Sequence, residues 1–236
     1  MSIQMILFDL DGTLLPMDQD VFVKAYFGAL ARKLAPRGYD PKTLIGAVWS
    51  GTEAMIQNTG EKTNEAVFWD RFAQLFGENA REDLPYFDEF YRECFDSVKD
   101  SCGYDPRAAE TVRALKQMGF RLALATNPIF PAIATEKRMI WAGLDKQDFE
   151  LYTTYENSRF CKPNPDYYRD ILRSLHVAPE HCLMVGNDVG DDMVAKSLGM
   201  EVFLLTDCLI NKQEADLSIY PSGSFSELLT FVQERK

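Results

Sequence analysis

Phe8-Asp9-Leu10-Asp11-Gly12-Thr13 closes the first apolar run of the chain, Met5–Phe8 (MILF), and the fold follows from how these two stretches are read together. Four apolar residues in a row read as a strand covered on both faces, the kind that lies inside a parallel sheet. The string after it is acidic, polar and carries a glycine, which suits a loop at the carboxyl end of that strand. Working outward, the same grammar recurs. Residues 121–125 (RLALA) run into Thr126-Asn127-Pro128, residues 183–185 into Gly186-Asn187-Asp188, and residues 202–205 (VFLL) form a fourth apolar run. Residues 150–153 are a short fifth candidate. Helical patterns near 106–118, 131–142, 165–175, 191–198 and 225–235 alternate with these runs. Strands alternating with amphipathic helices predict an α/β fold, a doubly wound and mainly parallel sheet.

Residues 17–102 read differently. Phe68, Trp69, Phe72, Leu75 and Phe76 recur at helical spacing, and Leu84, Phe87, Phe90, Tyr91, Cys94 and Phe95 make a second such stripe. No strand is expected there. The organisation predicted is therefore an α/β core from 1–16 and 103–236, Rossmann-like in plan, interrupted after its first strand by an all-helical domain at 17–102.

Composition narrows the function. The 236 residues include 36 acidic and 25 basic side chains, a net charge of −11, with 46% hydrophobic and 26% charged residues. That is the balance of a soluble globular chain. An acidic excess without clustered Lys and Arg argues against nucleic acid as a partner. No apolar run approaches the ~20 residues of a membrane span, so no membrane partner is expected. Residues 1–10 lack a basic n-region, so no signal peptide is expected. The five cysteines form no CxxC pair and suit a reducing cytoplasm. His176 and His181 have no Cys or His at ligand spacing, which excludes a His-based triad or zinc site.

In a parallel α/β sheet, ligands bind outside the carboxyl ends of the strands. The residues expected there are Asp9 and Asp11, Thr126 and Asn127, Lys162 of a Cys-Lys-Pro-Asn-Pro loop, and Asn187, Asp188 and Asp191. Two carboxylates two residues apart repel each other unless a cation intervenes. With Asp188 or Asp191 added, the set is an oxygen cage suited to a hard ion such as Mg²⁺. Gly12 permits a close backbone approach. For a phosphate ester, attack by a carboxylate meets repulsion of about 4 kcal/mol per charge pair at 4 Å with an effective dielectric near 20. Mg²⁺ and Lys162 would reverse that sign, and Thr126 would hold a phosphoryl oxygen.

Phe8-Asp9-Leu10-Asp11-Gly12-Thr13-Leu14-Leu15 resembles the first motif of the haloacid dehalogenase (HAD) superfamily, and Leu124-Ala125-Thr126-Asn127 is similar to its second. Cys161-Lys162-Pro163-Asn164-Pro165 matches the third, and Val185-Gly186-Asn187-Asp188-Val189-Gly190-Asp191-Asp192 resembles the fourth. The helical insert sits where the helical-cap members, the phosphoglycolate phosphatase and β-phosphoglucomutase-like group, place their cap. The resemblance implies a Mg²⁺-dependent phosphatase of a small phosphorylated metabolite. Asp9 would be the nucleophile that becomes an aspartyl-phosphate, and Asp11 the general acid and then base. Thr126, Asn127, Lys162 and Gly12 would bind phosphate. Asp9, the backbone of Asp11, and Asn187, Asp188 and Asp191 would hold the metal.

Two features of this sequence depart from that pattern or refine it. Asn187 stands where a carboxylate is usual, so either its carbonyl or an inward-turned Asp188 would ligate the metal; Asp192 is expected to point away. Residues 46–53 (GAVWSGTE), read as a loop between two helical patterns, resemble a specificity loop, with Trp49 and Ser50 facing the leaving group or Trp49 packed within the insert. That loop holds no Arg or Lys for a second phosphate, which disfavours a phosphomutase. Asp11 argues against a dehalogenase. A signalling receiver domain, with a similar Asp, Thr and Lys set, would be about half this length. A catalytically weak binding protein on the same fold remains as the reading that Asn187 favours. Oligomeric state is not legible.

Overall fold

β1 (Met5–Phe8) lies near the middle of a six-stranded, wholly parallel sheet in the computed structural model, which describes residues 2–235. Met1 and Lys236, the outer ends of the expected core segments, fall outside the described residues. The other strands are β2 (Arg121–Leu124), β3 (Leu151–Tyr152), β4 (Cys182–Gly186), β5 (Glu201–Leu205) and β6 (Ser222–Gly223). Their order is β3-β2-β1-β4-β5-β6. The chain winds outward in one direction through β2 and β3 and in the other through β4 to β6. The reversal leaves a crevice between β1 and β4 at their carboxyl ends, where ligands bind in such sheets.

β1 shows why the sheet is central. All four of its side chains are fully buried. Ile6 and Phe8 pack into one apolar core and Met5 and Leu7 into another on the opposite face, as the two-residue period of a strand requires. α5 (Pro106–Gln117), α6 (Ala132–Trp141), α7 (Pro165–Ser174) and α8 (Phe225–Gln233) cover the two faces. The segment expected to be helical near 191–198 is a short 3₁₀ stretch, Met193–Leu198. β6 was not foreseen, because a two-residue Ser-Gly strand carries no apolar signal.

The helical insert contains α1 (Gln19–Leu34), α2 (Pro41–Ile56), α3 (Asn64–Phe76) and α4 (Leu84–Glu89). Each of the first three starts on a side-chain cap, Asp18, Asp40 or Thr63, that accepts from an otherwise unpaired backbone N–H. The second aromatic stripe is not one helix. After α4 the chain widens into a π turn at Phe90–Cys94 and tightens into a 3₁₀ stretch at Phe95–Ser101, which buries Phe90, Tyr91 and Phe95 around Tyr26.

Residues 46–53 correct the sequence reading. They lie inside α2 rather than in a loop. Glycine weakens a helix by about 1 kcal/mol relative to alanine, but Gly51 is where α3 comes closest. A Cβ there would stand 2.5 Å from the Phe68 ring, so the packing of two helices explains the glycine that sequence alone assigned to a loop. The two passages between insert and core run side by side: Met17 pairs with Cys102 in an antiparallel bridge, and Gly103 N–H donates to the Pro16 carbonyl at 2.7 Å.

Candidate active site

The carboxyl ends of β1, β2 and β4 deliver their loops to one edge of the sheet. Asp9 follows β1 directly, and its N–H donates to the Val185 carbonyl at 2.9 Å, which registers the loop against β4. The Asp9 side chain is nearly buried and each oxygen has a donor: Lys162 Nζ at 2.9 Å on Oδ1 and Thr13 Oγ1 at 3.2 Å on Oδ2. Lys162 arrives from the loop before α7, with its N–H donating to Asn127 Oδ1 at 3.3 Å. Thr126 ends the β2 loop; its carbonyl accepts from Thr153 Oγ1 and the Tyr167 hydroxyl at 2.6 and 2.8 Å. Asp9, Asp11, Thr126, Asn127, Lys162, Asn187, Asp188 and Asp191 all line one cleft of roughly 520 Å³.

Asp192 is the first correction. Instead of pointing away it turns inward, fully buried, and its Oδ1 accepts from Lys162 Nζ at 2.6 Å. Its Oδ2 accepts from the Asp188 N–H at 3.0 Å. The turn is possible because position 186 is glycine: a Cβ there would be 2.0 Å from Asp192 Oδ2. Burial pushes the Asp192 carboxyl up, to about 7, although Lys162 pulls it down. Burial also works against the Lys162 cation, but Asp192 and Asp9 outweigh it and hold the ammonium well above the usual lysine range. Lys162 is therefore a fixed positive charge beside Asp9.

Asn187 is buried and its orientation is set. Nδ2 donates to the Cys208 carbonyl at 2.6 Å, which can only accept, so Oδ1 must face Thr13 Oγ1 at 2.9 Å and the cleft. Asp188 Oδ1 accepts from the N–H groups of Gly190 and Asp191 at 2.8 and 3.1 Å, which shapes the loop. Asp191 Oδ2 accepts from Asn127 Nδ2 at 3.4 Å, and burial raises its carboxyl above the ordinary value.

Two expected contacts are not made. Gly12 does not offer its N–H to a ligand, because that group donates to the Leu15 carbonyl at 2.8 Å and the Asn187 side chain covers the residue. Ser50 does not face the cleft; its hydroxyl accepts from Arg71 Nε at 2.7 Å, between α2 and α3. Trp49 does reach the cleft, half exposed, beside the Phe27 ring at 5.4 Å.

Arg138 on α6 is the residue that sequence reading missed. It is wholly buried, and its Nη1 donates to Asp11 Oδ2 in an ion pair. Thr135 Oγ1 accepts from Nη2 at 3.3 Å, and the guanidinium lies 4.5 Å from the centre of the Phe130 ring. A signal did exist: Ala134, Thr135, Arg138, Met139 and Trp141 form the buried stripe of α6, so the arginine stands on the apolar face. The pairing leaves Asp11 Oδ1 buried without a hydrogen-bond partner. Burial raises the Asp11 carboxyl above its ordinary value, with Arg138 opposing and Asp9 adding to the rise.

Chemically, this edge gathers Asp9, Asp11, Asp188, Asp191 and Asp192 against the two buried cations Lys162 and Arg138. Such an excess of negative charge attracts a cation. Among the described residues no three Asp, Glu, His or Cys side chains converge as a complete metal cage. The donors present, Asp9, Asn187 and Asp188, offer only oxygen. They fit a hard ion such as Mg²⁺, which keeps several waters and needs only one or two carboxylates beside a phosphate, and they do not fit a soft metal. The apolar half of the cleft comes from the helical insert, with Phe22, Tyr26, Phe68, Trp69 and Tyr91 among its walls.

Comparison with known proteins shows the family. A family model described as haloacid dehalogenase-like hydrolase matches residues 3–199. A phosphoglycolate phosphatase of Colwellia psychrerythraea is 28% identical over 203 residues, covering 86% of this chain and 84% of that protein. A pyrophosphatase PpaX of Anoxybacillus flavithermus is 26% identical over 201 residues, covering 84% and 81%. Among solved structures, a 2-haloacid dehalogenase from Pseudomonas syringae pv. Tomato superposes with a TM-score of 0.66 at 20% identity over 98% of this chain and 99% of that one. That likeness speaks to the fold alone.

Proposed function

The chain belongs to the haloacid dehalogenase-like hydrolases, and from that membership and the geometry of its acidic edge we propose that it is a phosphatase of small phosphate monoesters, with Asp9 as nucleophile. The observation that carries the reading is the disposition of the two carboxylates after β1. Asp9 accepts from Lys162 and Thr13 at the floor of the cleft. Asp11, two residues on, is held through one oxygen by Arg138 and keeps the other free of partners.

In the first step an Asp9 oxygen attacks phosphorus, the ester P–O bond breaks, and the leaving oxygen takes a proton from Asp11. The raised Asp11 carboxyl suits that donation. In the second step Asp11, now a carboxylate, takes a proton from water as the water oxygen attacks phosphorus, and Asp9 is released with inorganic phosphate. Lys162, Thr126 and Asn127 orient the phosphoryl group and balance its charge, which supplies most of the catalysis in phosphoryl transfer. Asp9, the Asp11 backbone and Asn187 or Asp188 would hold Mg²⁺, which neutralises phosphoryl charge when bound.

The helical insert, residues 17–102, acts in this reading as a cap that excludes water and selects the leaving group. Its two strands of connection, paired at Met17 and Cys102, are the natural hinge. Among the described residues no helix is long and apolar enough to cross a membrane, and all five cysteines are free, which suits a cytoplasmic enzyme. Hydrolysis of p-nitrophenyl phosphate with and without Mg²⁺ tests the proposal. Metal-dependent turnover that disappears in Asp9→Asn is the expected result; an active Asp9→Asn protein would overturn it.

A further inference from the structure

The cleft is chemically two-sided. Its floor is the acidic edge with Lys162. Its far walls come from residues 17–102, and none of the side chains these contribute to the lining carries a charge. Beyond Lys162, the one further cation lining the cleft among the described residues is Lys212, which belongs to the loop beside Asp188 rather than to the insert. A leaving group with a carboxylate or a second phosphate would be buried against these walls without a counter-ion, which is strongly unfavourable. The relatives named for phosphoglycolate and pyrophosphate imply leaving groups of just that kind.

The walls also contain uncommitted donors. Trp69 is 5% exposed, lines the cleft, and its buried Nε1–H makes no well-formed hydrogen bond, with only the Tyr155 hydroxyl of the same cleft near it. The hydroxyls of Tyr26 and Tyr91 lie 2.8 Å apart and share one hydrogen bond, so one of the two phenolic protons is left for another acceptor. A buried donor without a partner is a standing penalty that an acceptor on a ligand relieves. The remaining wall is mostly apolar, the rings of Phe22, Phe27, Trp49 and Phe68 with Val48 and Ile56 among them, which favours a carbon-rich, ring-bearing body by burial and by stacking. At roughly 520 Å³ the cleft is of the size that encloses such a molecule.

We propose that the leaving group is an uncharged, ring-bearing alcohol carrying a hydrogen-bond acceptor, so that the substrate is the phosphate monoester of such an alcohol and not a carboxylated or diphosphorylated one. The proposal rests on the phosphatase reading and deepens it.

The test compares kcat/KM for benzyl phosphate, 4-acetylbenzyl phosphate, 2-phosphoglycolate and inorganic pyrophosphate. Benzyl alcohol and glycolate are both alkyl alcohols that leave with a proton from Asp11, so intrinsic reactivity does not dominate that comparison. The expected order places both benzyl esters at least about tenfold above 2-phosphoglycolate and pyrophosphate, with the acetyl ester first. Trp69→Phe, which keeps the ring and removes the N–H, should reduce the advantage of the acetyl ester over the plain one about fivefold. Preference for 2-phosphoglycolate or pyrophosphate overturns the proposal, whether or not Trp69→Phe folds. If no ester is hydrolysed, the phosphatase reading fails, and calorimetric binding of the same four compounds to the wild-type protein decides this one separately. Tighter binding of the benzyl esters would uphold the character of the cleft, while equal or reversed affinities would overturn it.

Discussion

Lys162 Nζ stands 2.6 Å from Asp192 Oδ1, closer than the 2.9 Å that separates it from Asp9 Oδ1. The ammonium beside the proposed nucleophile is thus anchored from behind by a carboxylate with no exposure of its own. Asp192 in turn occupies the space that the missing side chain of Gly186 leaves at the end of β4. Strand end, glycine, carboxylate and lysine form one chain of support for Asp9.

Asp192→Asn should therefore injure both stability and rate. Removing one partner from a buried ion pair destabilises by about 3 kcal/mol, and a Lys162 free to shift loses its aim at Asp9. A fall in kcat on the order of 100-fold is expected, since misplacement by about 1 Å has that effect. Gly186→Ala should reproduce both losses, because its methyl group meets Asp192 Oδ2. Chemical denaturation and steady-state kinetics check this, and wild-type kinetics in either variant would refute the anchoring role.

Asp9→Asn should abolish turnover, by at least about a thousandfold, while leaving thermal unfolding nearly unchanged. The fold has little to lose there, because Lys162 keeps Asp192 as counter-charge and the amide can still accept from Thr13. Activity and circular dichroism melting on the same preparation separate a dead enzyme from an unfolded one.

Much of this site was legible because the chemistry lies at strand ends. Four of the strands announced themselves as apolar runs, and the polar strings after three of them supplied Asp9, Asp11, Thr126, Asn127 and the loop from Asn187 to Asp191. What stayed hidden needed tertiary contacts. Nothing local says that Asp192 rather than Asp191 turns toward Lys162, or that Arg138 crosses from α6 to Asp11. Gly46 and Gly51 read as loop punctuation, because the approach of Phe68 to Gly51 depends on how α2 and α3 pack. Trp49 could be placed on α2 only once that helix was known to continue through both glycines.

Arg138→Met carries a pH signature. Burial sets the Asp11 carboxyl above its unfolded value, and Arg138 is the strongest group holding it down. A carboxyl raised on folding stabilises the native state most below its unfolded value, near about pH 4, and that contribution is lost as pH rises through the folded value. Without Arg138 the folded value climbs further, so stability should fall more steeply than in the wild type from about pH 4 to about pH 8. Loss of the buried partner itself should lower stability by about 3 kcal/mol. Urea unfolding across that range is the measurement, and parallel curves for the two proteins would show that Asp11 does not titrate under the influence of Arg138.

The choice between Asn187 and Asp188 as metal ligand can be forced by two alanine variants. Asn187 bridges Thr13 and the Cys208 carbonyl; Thr13 keeps Asp9 as an acceptor, so Asn187→Ala leaves the part-buried Cys208 carbonyl short of its donor and should lower stability by about 1 kcal/mol. Asp188 is half-buried and holds only the N–H groups of its own turn, so Asp188→Ala should unfold at nearly the wild-type denaturant concentration. A carboxylate attracts Mg²⁺ by charge and an amide oxygen does not. If Asp188 supplies the ligand, Asp188→Ala should raise the Mg²⁺ concentration for half-maximal binding far more than Asn187→Ala, by at least about tenfold. Calorimetric Mg²⁺ titration of the folded variants reads this without any need for turnover. The reverse ranking would assign the metal to the Asn187 carbonyl and leave Asp188 as the residue that shapes the loop.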